Sequence, residues 1–298
     1  MVDLRLLRVI RPHIVAGGFL GYLAGALFSL NMGGAVSWTG FILGYLIVLF
    51  MDLSTHFNND YFDVEIDRNA SFKPFGSVNQ FIEHPELRSP ALVAAAGCSV
   101  LSMLLASGMV LAGSAWHMLA VVGLFNLLGW LYSAPPVSLH SRRLGEATIA
   151  VGTGFCVPAV GYVAAHGSLD GGFTLFSAPL VLYGFILALC LQVPDYEVDR
   201  AMGKNTVVGL IGRRRTYLVV LACAVASTVT CFRFFPAAGF LRGVQWASLI
   251  PAASSLLSVL FLSGSPEHAR VYTMVNVSAL FVFLSALDII LLLVVLPL

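Results

Sequence analysis

Nine long apolar segments constrain the fold of this chain more than any other feature of its sequence. Each is close to the roughly 20 residues that an α-helix needs to cross the hydrocarbon core of a bilayer, and each is nearly free of charge. Charged residues make up 10% of the chain, against about 25% in soluble domains. The segments are Ile14–Asn31, Trp38–Phe57, Ala91–Leu111, Trp116–Tyr132, Ala147–His166, Phe173–Pro194, Thr216–Phe232, Val244–Ser263 and Val271–Leu298.

These segments predict an all-α membrane protein with about nine transmembrane helices. Uninterrupted apolar runs favour helices over a β-barrel, whose strands alternate apolar and polar residues. We expect residues 1–298 to form a single domain that packs as a helical bundle in membrane lipid, and we expect no nucleic-acid partner.

The basic residues are distributed unequally between the two ends of the predicted helices. Fourteen of the 16 lysines and arginines fall in the N-terminal tail and in every second connection, while Arg233 and Arg242 fall on the other side. Cytoplasmic loops of membrane proteins are enriched in Lys and Arg. The N-terminus is therefore predicted to face the cytoplasm and the C-terminus the opposite side. Adding or removing one internal helix would destroy the asymmetry, so it also supports the number of helices.

Two acidic motifs follow predicted helices on the side assigned to the cytoplasm. Asn59-Asp60-x-x-Asp63-x-x-x-Asp67 follows the second helix, and Asp195-x-x-x-Asp199 follows the sixth. Four helices separate the motifs, so the chain enters both in the same direction. This arrangement predicts a weak internal repeat made of helices 1–4 and 5–9.

The first motif has the composition of a cation site. If the second helix continues through it, Asp60, Asp63 and Asp67 lie on one face, which Asp52 and His56 extend into the membrane. Three aspartates so close together repel one another unless a cation lies between them. Mg²⁺ bound with a diphosphate would remove that repulsion, because Mg²⁺ prefers an octahedral shell of oxygen ligands. A solvated acidic loop is the alternative.

The second motif repeats this pattern and is followed by basic residues. Asp195 and Asp199 are four residues apart and so share a helical face. Lys204 follows Gly203, which can bring the backbone close to a phosphate while the ammonium group contacts it. The arginines further along the chain are interpreted as determinants of membrane topology.

Two other classes of membrane protein also depend on carboxylates. Ion-coupled transporters place their coupling residues near the bilayer midplane on broken helices, whereas both motifs here lie at the membrane surface among basic residues. A phosphotransferase acting on CDP-alcohols would need Asp-Gly-x-x-Ala-Arg after its first aspartate pair, and Asp63-Val64-Glu65-Ile66 does not fit. The sequence therefore favours an enzyme that acts on a diphosphate.

The two motifs, in this topology, resemble the signatures of the UbiA superfamily of intramembrane prenyltransferases. That family carries N-D-x-x-D-x-x-x-D and D-x-x-x-D at the spacings found here. The resemblance covers nearly the whole chain and includes Arg11-Pro12-His13 before the first helix, Tyr132-Ser133-Ala134-Pro135-Pro136 after the fourth and Asp199-Arg200-x-x-Gly203 after the sixth.

The resemblance implies a fold, a cofactor and a reaction. The helices are expected to surround a central cavity that the two acidic loops cap. Mg²⁺ is expected to bridge the aspartates and a polyprenyl diphosphate donor, which ionises to an allylic cation that a small lipophilic acceptor attacks. The predicted catalytic and metal-binding residues are Asp60, Asp63, Asp67, Asp195 and Asp199. The predicted substrate-binding residues are Asn59, Arg68, Lys73, Tyr132, Arg142, Arg143, Gln192 and Lys204.

The acceptor is the least defined part of this prediction. Leu144-Gly145-Glu146 and Gly203-Lys204-x-Thr206 resemble the branch that prenylates dihydroxynaphthoate in menaquinone synthesis, which predicts an aromatic acceptor. Gln192 departs from that branch, where an asparagine is common. After Asp67 the chain lacks the Lys-Pro-x-Arg-Pro of the hydroxybenzoate and archaeal glycerol-ether branches. A non-aromatic acceptor such as geranylgeranylglyceryl phosphate is the alternative.

Several single residues have two interpretations. The family often has a lysine four residues after Tyr132, where this chain has Pro136, and Arg142 or Arg143 is the expected replacement. Tyr132 itself is expected near the substrate, with an interfacial position as the alternative.

Three ionisable residues inside the apolar segments are also open to two interpretations. Asp52 and His56 either line the site or pair with a neighbouring helix. Asp288 is expected to form a hydrogen bond to another helix.

Overall fold

The computed structural model of the protein describes residues 9–35, 37–68, 79–236, 239–262 and 266–296. Lys73, one of the predicted substrate ligands, lies outside these residues. Every α-helix of the described ranges is one of the following, in chain order: α1 (Pro12–Asn31), α2 (Trp38–Phe62), α3 (Val64–Arg68), α4 (Arg88–Leu111), α5 (His117–Ser133), α6 (Gly145–Val151), α7 (Val157–His166), α8 (Gly171–Gln192), α9 (Tyr196–Ala201), α10 (Val207–Ile211), α11 (Arg213–Phe234), α12 (Arg242–Ala247), α13 (Leu249–Leu262) and α14 (Ala269–Val295).

The prediction of an all-α, multi-pass membrane protein is confirmed. Within the described ranges, eight helical segments are long and apolar enough to cross a membrane. The remaining predicted span, Trp116–Tyr132, corresponds to α5, which has 17 residues and falls below that length. Two spans are composite: a π-helical turn at Gly152–Cys156 joins α6 to α7, and α12 continues into α13.

Small residues let two of the membrane segments approach each other closely. A Cβ atom at Gly25 on α1 would lie 1.9 Å from the carbonyl oxygen of Pro158, and one at Gly161 on α7 would lie 2.0 Å from that of Tyr22. Because lipid tails are as apolar as leucine, membrane helices associate through such close packing rather than through the hydrophobic effect. The contact holds α1 against α7, and these helices form part of the cavity wall.

Hydrogen bonds between side chains fix α4 beside α2 and α5. Ser99 on α4 shares a hydrogen bond with Ser54 on α2 at 2.7 Å and accepts another from the indole of Trp130 on α5 at 2.8 Å. Asn126 on α5 donates to Ser102 at 2.9 Å. Bonds of this kind satisfy polar groups that lipid cannot solvate, and each contributes about 0.6 kcal/mol on average in a membrane. They place α2, which carries the first acidic motif, in a defined orientation.

The orientation of the bundle in the membrane can be tested with cysteine labelling. We expect Met202→Cys, at an exposed position after α9, to react with an impermeant maleimide only after cells are opened. Ala112→Cys, at the exposed end of α4, should react in intact cells, because it lies at the other end of the bundle. Both variants are made in a background that lacks the five native cysteines. Labelling of Met202→Cys from outside would contradict the predicted topology.

Candidate active site

A cavity of about 360 Å³ lies among α1, α2, α5, α6, α7, α8 and α14, as the resemblance implies. Its wall is mainly apolar and includes glycines on α1, α5 and α8. Polar side chains reach it from the end of the bundle that carries the acidic motifs: Arg11, His13, His56, Asn59 and Tyr132. The cavity therefore has an apolar interior and a polar mouth.

The first acidic motif does not lie on one continuous helix, so that prediction is wrong. Asp60 is in the last turn of α2, Asp63 is the residue that caps it, and Asp67 belongs to α3. The amide of Asn79 donates to the carbonyl of Asp60 at 2.7 Å and to the carboxylate of Asp67 at 3.0 Å. Asn79 thus engages the carbonyl that would accept from Val64 in a continuing α-helix.

Asp60 is paired with a cation that the sequence analysis did not include among the site residues. The guanidinium of Arg11 donates to its carboxylate, which is fully buried. Arg11 immediately precedes α1, and Val9, two residues earlier, belongs to a buried hydrophobic cluster that includes Phe57 and Phe81. The Arg-Pro-His segment was the available signal, but nothing in the sequence shows that it approaches α2.

The second motif surrounds a short helix after α8. Asp195 is the N-cap residue of α9, and its carbonyl accepts from the backbone amide of Asp199 at 2.8 Å. The ammonium of Lys204 lies 3.7 Å from the carboxylate of Asp199. Gly203 has φ +69°, and nothing lies within 4 Å of the position of its missing Cβ. The glycine is therefore required by its backbone conformation, and this turn brings Lys204 back to the motif.

His140 connects the two acidic motifs and was missed in the sequence analysis. Its Nδ1 bonds the carbonyl of Tyr132 at 2.7 Å, and its Nε2 lies 3.5 Å from the carboxylate of Asp63. Burial, followed by the charge of Lys204, lowers the pKa of His140, while Asp199 acts in the opposite direction. His140 therefore contacts one motif and lies close to the other.

The tautomer of His140 follows from its hydrogen bonds. A backbone carbonyl can only accept, so Nδ1 carries the proton in the neutral ring. Nε2 then presents a lone pair, which accepts from the hydroxyl of Ser141 at 3.1 Å. The same atom faces an oxygen of Asp63, so two electron-rich groups meet at a point that a cation would stabilise.

The other predicted substrate-binding residues fall into two groups. Asn59 and Tyr132 line the cavity, and Asn59 accepts a hydrogen bond from Ser133 at 2.6 Å. Gln192 is the last residue of α8. Its side-chain oxygen is buried and has no hydrogen-bond partner among the described residues. Arg68 is exposed and pairs with Glu65 at 3.3 Å, and Arg142 donates to the carbonyl of Pro136 at 2.7 Å.

In the described part of the chain, no three carboxylate, imidazole or thiol groups are gathered closely enough to hold a metal ion by themselves. Two of the predicted metal ligands instead lie beside cationic side chains of the protein: Asp60 faces Arg11, and Asp199 faces Lys204. Asp63 faces the neutral ring of His140. The negative charges of Asp60 and Asp199 are thus already balanced.

Two hydrogen bonds join residues 143–146, at the start of α6, to residues 205–207, where the α9–α10 loop meets α10. We call this contact the clasp. The carboxylate of Glu146, which is fully buried, accepts from the backbone amide of Val207 at 2.6 Å. The amide of Arg143 donates to the carbonyl of Asn205 at 2.8 Å. A Cβ at Gly145 would lie 2.8 Å from the Cα of His140. The clasp therefore fixes the loop that carries Lys204.

A comparison with protein-family models places the chain in one family. The model of the UbiA prenyltransferase family matches residues 19–287. The chain is 27% identical over 269 residues to digeranylgeranylglyceryl phosphate synthase of Thermococcus kodakarensis, covering 86% of this chain and 85% of the relative.

Two solved structures have a similar fold. The apo structure of a UbiA homologue from Aeropyrum pernix has a TM-score of 0.72 at 16% identity and covers 94% of this chain and 98% of its own. A UbiA homologue from Archaeoglobus fulgidus, bound to GPP and Mg²⁺, has a TM-score of 0.66 at 16% identity, with 95% and 99% covered.

The clasp makes a prediction about local stability. Glu146→Ala removes the acceptor for the buried amide of Val207, and an unsatisfied buried donor costs about 1 to 3 kcal/mol. We expect a lower melting temperature in detergent and faster hydrogen exchange at Val207. Glu146→Gln keeps a carbonyl acceptor and should lie closer to the wild type. Unchanged protection of Val207 in Glu146→Ala would show that the contact does not hold the loop.

Proposed function

Because the chain belongs to the UbiA prenyltransferase family, we propose that it transfers an isoprenyl chain from a polyprenyl diphosphate to a lipophilic acceptor in a Mg²⁺-dependent reaction. One observation carries the proposal: residues of both aspartate motifs lie near His140, whose hydrogen-bond partner Tyr132 lines the polar mouth of an apolar cavity. Such a site can hold a diphosphate and an isoprenoid tail at the same time.

The carboxylates fit Mg²⁺ in chemical type. Asp60, Asp63, Asp67, Asp195 and Asp199 would supply the hard oxygen ligands that this ion prefers. Because Asp60 and Asp199 are already paired with Arg11 and Lys204, Mg²⁺ would bind together with the donor, whose phosphates would become the new partners of these two basic side chains. When bound, Mg²⁺ would neutralise charge on the departing diphosphate.

Basic side chains released from the aspartates would then serve the donor. Arg11 and Lys204 each lie beside a motif carboxylate, so a small movement is enough to exchange that carboxylate for a phosphate oxygen. Charge-assisted hydrogen bonds to phosphate are among the stronger polar contacts in proteins. The apolar wall would hold the isoprenoid tail and keep water from the allylic cation.

We propose a glycerol phosphate lipid, such as geranylgeranylglyceryl phosphate, as the acceptor. The curated relative with 27% identity over 86% of the chain is named as a digeranylgeranylglyceryl phosphate synthase. This relationship favours a non-aromatic acceptor over the aromatic acceptor of the menaquinone branch, which no comparison supports specifically.

The structure also gives a different explanation for the residues that suggested an aromatic acceptor. Gly145 and Glu146 belong to one side of the clasp, and Asn205 and Thr206 lie on the other. Their pattern is accounted for by the contact between α6 and the α9–α10 loop. The aromatic acceptor is therefore left without a residue that favours it.

The proposal can be tested with a panel of acceptors. Purified protein is incubated with geranylgeranyl diphosphate, Mg²⁺ and either geranylgeranylglyceryl phosphate, dihydroxynaphthoate, hydroxybenzoate or homogentisate. We expect a diether product with the first compound and release of diphosphate that stops when Mg²⁺ is chelated. Transfer only to an aromatic acceptor would contradict the acceptor proposal. The absence of Mg²⁺-dependent transfer to every acceptor would contradict the proposal that the protein is a prenyltransferase.

Loss of one motif aspartate should abolish turnover without unfolding the protein. In Asp63→Ala and Asp195→Ala we expect kcat to fall by several orders of magnitude, because the metal would lose an oxygen ligand beside the leaving group. Both variants should elute as the wild type in detergent. Glu65→Ala is the control, since Glu65 is exposed and pairs with Arg68. Near-normal Mg²⁺-dependent transfer by both aspartate variants would overturn the metal assignment.

Replacing Lys204 should lower the catalytic efficiency toward the donor and leave the KM of the acceptor nearly unchanged. Lys204→Gln removes a charge-assisted hydrogen bond worth about 1.5 to 3 kcal/mol, which lowers the donor kcat/KM roughly ten- to a hundredfold. The KM of the acceptor should change much less. Arg214→Gln is the matched control. Arg214 is exposed, and its replacement removes the same charge from the same side of the protein. Wild-type donor kinetics in Lys204→Gln would leave this lysine with a role in topology only.

A further inference from the structure

Two ionisable side chains line the cavity below the aspartate motifs. Asp52 and His56 are one turn apart on α2 and are only 8% and 4% exposed. Among the described residues, neither ring nitrogen of His56 has a hydrogen-bond partner. Buried polar atoms are nearly always paired, because leaving one unpaired costs free energy. This imidazole therefore points to a polar ligand group that enters the cavity.

The neighbouring helices leave room for these side chains. A Cβ at Gly18 on α1 would lie 2.1 Å from a carboxylate oxygen of Asp52. A Cβ at Gly129 on α5 would lie 2.7 Å from the methyl group of Thr55, which stands between the two ionisable residues on α2. Larger residues at either glycine would push the polar face of α2 out of place. Both glycines line the same cavity.

The position of the pair along α2 relates it to the reaction. With a helical rise of about 1.5 Å per residue, His56 lies roughly 6 Å and Asp52 roughly 12 Å below Asp60. In the proposed function, on which this inference rests, the diphosphate lies at the level of Asp60. The carbon that becomes bonded to the acceptor is attached to the diphosphate and points into the cavity. His56 is thus at the depth where the attacking atom must be held within about 3.5 Å of that carbon.

We propose that Asp52 and His56 form the binding site for the nucleophilic hydroxyl group of the acceptor. A hydroxyl both donates and accepts hydrogen bonds, so it can satisfy an imidazole and a carboxyl group together. An anionic group is a poor occupant, because it would lie beside the carboxyl of Asp52 in an apolar wall. The phosphate of the acceptor is directed instead to the mouth, where Arg11 and Lys204 lie.

The test combines removal of the imidazole with removal of the hydroxyl. The probes are geranylgeranylglyceryl phosphate and its deoxy analogue, in which hydrogen replaces the free glycerol hydroxyl. Their binding is measured by competition in the wild type and in His56→Leu. We expect the wild type to prefer the hydroxylated probe roughly ten- to a hundredfold, and His56→Leu to lose that preference to within about threefold. If His56 has a purely structural role, its replacement should weaken the binding of both probes equally.

Further variants serve as controls for this interpretation. Asp52→Asn should reduce the same preference, whereas Asp288→Asn, a buried carboxyl on α14 outside the cavity lining, should not. Ser54→Ala is the second control on α2, since Ser54 faces α4. His56→Phe also removes both ring nitrogens and carries the test if His56→Leu fails to fold. Stabilisation by geranylgeranyl thiodiphosphate with Mg²⁺, which requires only the donor site, shows that each variant is intact.

The outcomes separate this inference from the proposed function. Donor stabilisation and transfer by the wild type, with an unchanged hydroxyl preference in both His56 variants, would overturn only the assignment of Asp52 and His56. Equal binding of both probes by the wild type would also overturn it. A wild-type protein that neither binds the thiodiphosphate with Mg²⁺ nor transfers the prenyl chain would overturn both proposals.

Discussion

The site depends on charge balance among buried carboxylates. Asp60 is fully buried, and an uncompensated buried charge would destabilise the fold by several kcal/mol. Arg11 supplies the counter-charge from the segment before α1, so the ion pair also fixes that segment against the end of α2. Asp199 uses Lys204 in the same way. The protein thus holds its acidic motifs in place with basic groups of its own.

Much of the architecture could be predicted because membrane helices leave a strong signal. Length and apolar character locate the spans, and each predicted span falls on a helical segment of the described chain. The end of α2 could not be predicted. Periodicity extends a helix through Asp63, but Asn79 captures the carbonyl of Asp60 from a distant part of the sequence. A tertiary contact of this kind leaves no local pattern.

The site residues show the same division between local and distant information. Carboxylates at regular spacing drew attention to both motifs, whereas Arg11 and His140 became visible only through what they contact. A single histidine in a polar loop has no sequence signature. The clasp shows that one residue pattern can have two explanations: Glu146 was grouped with Thr206 by resemblance to an acceptor class, while its carboxylate joins two backbone segments in the structure.

The shortness of α5 has a consequence for how substrates reach the cavity. Its 17 residues extend about 26 Å, less than the roughly 30 Å of an average hydrocarbon core. Local thinning of the bilayer is one way to match such a helix. Tyr132, near the end of α5, lines the cavity, so thinning there would bring lipid headgroups to the level of the mouth. A lipid substrate can then approach sideways from its own leaflet, with its tail still in hydrocarbon.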